Sequence, residues 1–61
     1  MRYSELERLL MSYGCRAIDQ GARHQIWYSP ITGKEFPVPR HKTQEVPTGT
    51  LRSIKRDAGI P

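Results

Sequence analysis

Two histidines, His24 and His41, are the side chains of this 61-residue chain best suited to move a proton near neutral pH. Each has cationic neighbours: Arg23 precedes His24, and Arg40 and Lys42 flank His41. A phosphodiester suits such a set, because cations stabilise the phosphate while an imidazole transfers the proton. RNA also carries its own nucleophile, the 2′-hydroxyl. One base beside that hydroxyl would give cleavage without a metal or cofactor. His24 is therefore the candidate catalyst, and His41 a second proton-transfer partner or phosphate contact. The plainer alternatives are a solvated strand residue for His24 and a loop residue for His41.

Further anion contacts fall in the C-terminal third. Thr48, Gly49 and Thr50 open a predicted helix, whose first backbone N–H groups lack intrahelical acceptors. Thr50 reads as a phosphate contact there or as part of an ordinary helix start. Arg52, Lys55 and Arg56 form either a solvated face or a rail for a phosphate backbone. Other chemistries lack their residues. The six carboxylates (Glu5, Glu7, Asp19, Glu35, Glu45 and Asp57) are scattered rather than clustered as a two-metal nuclease requires. No Gly-rich phosphate loop with a lysine and no Cys/His zinc spacing occurs. The lone Cys15 reads as a small buried residue.

The elements that must position these residues belong to one small domain, 1–61. A chain this short buries only about 60% of its unfolded surface, so Trp27, Phe36 and the leucines are expected in the core, with base stacking the alternative for Trp27. The net charge of +4 favours an anionic partner. No apolar stretch is long enough to span a bilayer or to act as a signal peptide. The absence of disulfide staples favours the cytosol.

Ser4 and Glu7 fit a capping box, and Leu6, Leu9, Leu10 and Tyr13 then mark one helical face, so a helix is predicted over 4–13 with Gly14 as its stop. A weak strand at 15–19 and a turn at Gln20-Gly21-Ala22 follow. The next strand spans 23–28, with His24, Ile26 and Tyr28 on one face and Arg23, Gln25 and Trp27 on the other. A third strand spans 35–39. There Phe36 and Val38 share a face, and Pro37 and Pro39, which cannot donate to a ladder, point to an edge strand or a bulge. After a polar loop at 40–47, a second helix begins near 48 or 49. It buries Leu51, Ile54 and Ala58, is capped by Gly59, and allows Ile60 to fold back onto Ile54. The order is helix, three antiparallel strands, helix, an α+β fold with both helices on one face of the sheet.

The run Arg23-His24-Gln25-Ile26-Trp27-Tyr28-Ser29-Pro30 resembles the signature of the HicA toxins. So do Val38-Pro39-Arg40-His41 and the ending from Gly49-Thr50-Leu51-Arg52-Ser53-Ile54 through Ala58-Gly59-Ile60. The resemblance covers nearly the whole chain, in order and spacing. It implies a fold similar to double-stranded RNA-binding domains and a metal-independent ribonuclease that cleaves mRNA and stops translation. It places the catalytic histidine on His24. It also implies a HicB-family antitoxin as partner, so that the chain would be monomeric alone or part of a hetero-oligomeric toxin–antitoxin complex. The family's glycine and serine or aspartate before the histidine fall on Ala22 and Arg23. Alternatives to the active toxin are a non-catalytic RNA-binding module and a degenerate toxin that only binds its antitoxin.

Overall fold

A computed structural model describes residues 1–20, the Gln20 side chain aside, and 24–61. The expected turn through Gly21 and Ala22, and Arg23 with it, lie outside the described residues. The element order is α1 (Tyr3–Ser12), β1 (Arg16–Gln20), β2 (His24–Tyr28), β3 (Glu35–Pro39) and α2 (Thr48–Ala58). The strands form one antiparallel sheet in the order β1-β2-β3. His24 therefore sits on the central strand. Pro37 and Pro39 lie on an edge strand, where a missing N–H costs no ladder bond.

The β2–β3 register pairs Trp27 with Phe36 and Gln25 with Val38. Directly opposed residues share a face, so these four point the same way. Trp27, Phe36 and Val38 are buried in one core with Tyr3, Leu6 and Leu10 of α1 and Ile54 and Ala58 of α2. Both helices thus cover this face. Trp27 is a core residue, and its indole N–H donates to Gln25 Oε1 at 3.4 Å. His24, Ile26 and Tyr28 pair with Pro39, Pro37 and Glu35 on the opposite face. The β1–β2 register shifts between Ala17 and Asp19, a bulge that leaves Ile18 45% exposed.

α1 starts one residue earlier than its sequence signals indicate, and the capping box is not Ser4 with Glu7. The Arg2 N–H donates to Glu5 Oε1 at 2.9 Å. The N–H groups of Tyr3 and Ser4 donate to the carbonyls of Gln44 and Lys42 at 3.0 and 3.1 Å. The buried stripe moves with the start: Tyr3 is in the core, and Tyr13 is 42% exposed. Gly14 ends the helix as expected, with φ +87°.

The 40–47 segment is a loop, although not a wholly polar one. Val46 is buried, and its N–H donates to the Met1 carbonyl at 2.8 Å. The Met1 ammonium donates to Glu45 Oε2 at 2.9 Å, and that attraction raises the amine's pKa and lowers the carboxyl's.

α2 ends at Gly59 (φ +76°), and the Ile60 N–H returns to the Lys55 carbonyl at 3.0 Å, which buries Ile60. Two hydroxyls from the β2–β3 connection also reach this end. Ser29, fully buried, donates to the Ala58 carbonyl and Thr32 to the Asp57 carbonyl, both at 2.6 Å. Carbonyls at a helix end have no partner within the helix, so this connection acts as a cap supplied from elsewhere in the chain. It holds the end of α2 beside the start of β3.

Candidate functional site

A groove of about 430 Å³ runs between β3 and α2. His24 reaches it from the start of β2, beside its cross-strand partner Pro39. Phe36, Pro37 and Pro39 form the strand side; Gly49, Thr50, Ser53, Ile54 and Asp57 form the helix side. His24 is exposed, so its imidazole is open to an incoming ligand. Pro37 is exposed and Pro39 half-buried, and both belong to the groove's strand side.

The helix side follows from periodicity. Thr50, Ser53 and Asp57 recur at i, i+3 and i+7, and at about 100° per residue they share one stripe beside the buried Ile54–Ala58 stripe. All three are half-buried. Arg52 and Arg56 fall on the solvent side of that stripe, whereas Lys55 falls beyond the buried one. Arg56 Nη2 donates to Ser53 Oγ at 3.4 Å, and its Nε lies 3.8 Å from Asp57 Oδ1. α2 begins at Pro47 without a side-chain cap.

The structure therefore gathers His24 and Thr50 in the groove and sets Arg56 at its rim, through Ser53 and Asp57, whereas Arg52 is exposed and does not line it. It separates the second histidine from this group. His41 lies in the exposed loop that caps α1, its ring in edge contact with Tyr3 at 6.3 Å between centroids. Neither His41 nor Arg40 nor Lys42 lines the groove; all three are exposed, and the Lys42 carbonyl accepts from Ser4. Arg23 lies outside the described residues. Among the described residues no three His, Cys, Asp or Glu side chains come together as a metal site.

Sequence reasoning missed Ser53 and Asp57. Their signal was present as the polar stripe next to Ile54, but Asp57 was read only as one of several scattered acids. Ser29 was missed as well, because its role is to cap a helix 29 residues away.

Among the described residues no helix is long and apolar enough to cross a membrane. No curated protein and no solved structure matches the chain significantly. The family model of the HicA toxin of bacterial toxin–antitoxin systems matches residues 3–60, which takes in both helices, the sheet and every wall of the groove. This chain belongs to the HicA toxin family.

Proposed function

We propose that this toxin is a metal-independent endoribonuclease that cuts mRNA in the cytoplasm and so arrests translation. The observation that carries this reading is the exposed His24 imidazole on the wall of a groove open to solvent. His24 acts as general base on the ribose 2′-hydroxyl. The 2′-oxygen attacks the adjacent phosphorus, the P–O5′ bond breaks, and the 5′-oxygen leaves with a proton. The products are a 2′,3′-cyclic phosphate and a 5′-hydroxyl. Thr50 contacts phosphate from the groove, with Arg56 at its cationic rim; Arg23, Arg40, His41, Lys42, Arg52 and Lys55 are further phosphate contacts outside it. A HicB-family antitoxin is the partner that restrains the activity by covering this site.

Incubation of the antitoxin-free protein with RNA in EDTA tests the reading. New ends carrying cyclic phosphate are expected, and none from His24→Ala. RNA binding without new ends would favour a non-catalytic RNA-binding module. Antitoxin binding without either would favour the degenerate toxin that the Ala22 and Arg23 departures suggest.

A further inference from the structure

The groove differs in charge from the molecule around it. The chain carries ten Lys and Arg residues against six Asp and Glu. Among the described residues, none of those ten lines the groove; Asp57 is the one formally charged residue in its wall. Such a lining disfavours phosphate at the Asp57 end of the groove. Besides His24 and Gly49, the remaining walls are two prolines, Phe36, Ile54 and two small hydroxyl residues. A flat, partly apolar ring with hydrogen-bonding groups on its rim fits this chemistry, and the volume lies within the roughly 300–1,000 Å³ of small-ligand sites.

An ionised carboxylate only accepts hydrogen bonds, and its two oxygens suit two parallel donors. The Asp57 side chain is 33% exposed, and its ion pair with Arg56 is long, at 3.8 Å. Of the four RNA bases, guanine alone presents two adjacent donors, N1–H and the 2-amino group, on its Watson–Crick edge. Adenine and cytosine set one amino donor beside a ring acceptor. Uracil sets one N–H between two carbonyls. Those neighbouring acceptors repel a carboxylate.

Thr50 and Asp57, seven residues apart on α2, stand roughly 10 Å apart along its axis. One nucleotide can span that distance, with its phosphate toward Thr50 and His24 and its base edge at Asp57. We propose that the groove is a guanine-reading subsite in which Asp57 accepts from N1–H and the 2-amino group, with Ser53 beside it as a specificity-determining hydroxyl. This inference rests on the ribonuclease reading only in taking single-stranded RNA as the ligand.

The test is binding rather than cleavage. Trinucleotides with guanosine, inosine, adenosine or uridine at the central position are titrated into the His24→Ala protein, which leaves the RNA intact. Inosine retains N1–H and lacks the 2-amino group. Guanosine is expected to bind more tightly than inosine, on the order of tenfold for one good base contact, and more tightly than adenosine or uridine. Asp57→Asn is expected to erase the guanosine–inosine difference. Equal binding of all four, including no binding at all, overturns the inference; so does a difference that survives in Asp57→Asn. Guanosine-selective binding by a parent chain that never cleaves RNA would keep this subsite and remove the ribonuclease reading.

Discussion

His24 combines two properties that rarely serve the same end in so small a domain: it touches a groove, and it supports little of the fold. It is exposed and contributes nothing to the shared core. His24→Ala should therefore stay within about 0.5 kcal/mol of the parent in stability, as surface substitutions do, while losing RNA cleavage and growth arrest. Thermal melts beside end-mapping of treated RNA check this; a folded variant with undiminished toxicity would remove His24 from the mechanism. The strand face of His24 was legible from alternation alone, because Trp27 and Phe36 had to be buried in so short a chain. Its partners were less so. His41 looked equivalent by its basic neighbours, and only tertiary structure sends it to the start of α1, against Tyr3. Asp57 was hidden for the opposite reason: a single acid between Arg56 and Ala58 carries no local signal, and its meaning comes from the strand across the groove.

The β2–β3 connection and α2 depend on each other through Ser29, Thr32 and Gly59. Ser29→Ala leaves the Ala58 carbonyl without its hydroxyl donor and should lower stability by about 1–3 kcal/mol, the cost of an orphaned buried polar group. Urea unfolding measures it, and a neutral outcome would mean that water replaces the hydroxyl. Gly59→Ala should cost about 1 kcal/mol or more. Its φ is positive, and the new Cβ would lie 2.7 Å from Thr32 Cγ2 and 2.9 Å from Ile31 Cγ2. The same measurement decides it; a stability equal to the parent's would show that the connection shifts freely. The Gly59 cap and the Ile60 latch were readable in the sequence because the Schellman-type ending is a local motif. The beginning of α1 was not. Its first donors go to Lys42 and Gln44, some forty residues away, so Ser4 and Glu7 gave a plausible but incorrect box. β3 matched its expected bounds because Phe36, Val38 and the two prolines constrain both burial and edge position.

At the scale of the whole molecule, and among the described residues, charge is set apart from shape: Arg56 at the rim, a neutral-to-acidic groove within. RNA affinity should fall with salt, at about 0.7 log units of affinity per log unit of salt for each single-strand phosphate neutralised. Replacing both Arg52 and Arg56 by Gln should reduce that slope by about 1.4, two contacts at ~0.7 each. An unchanged slope would place the phosphate path elsewhere. The two ends of α2 also differ in kind. One end starts at Pro47 with no side-chain cap; the other is clamped by two hydroxyls, Gly59 and the returning Ile60. Such a helix frays from one side. In hydrogen-exchange experiments its opening turn should release deuterium well before its last. If the groove takes RNA as proposed, the same asymmetry becomes a division in time: the Thr50 end would breathe to admit a strand, while the Asp57 end would hold still to inspect it.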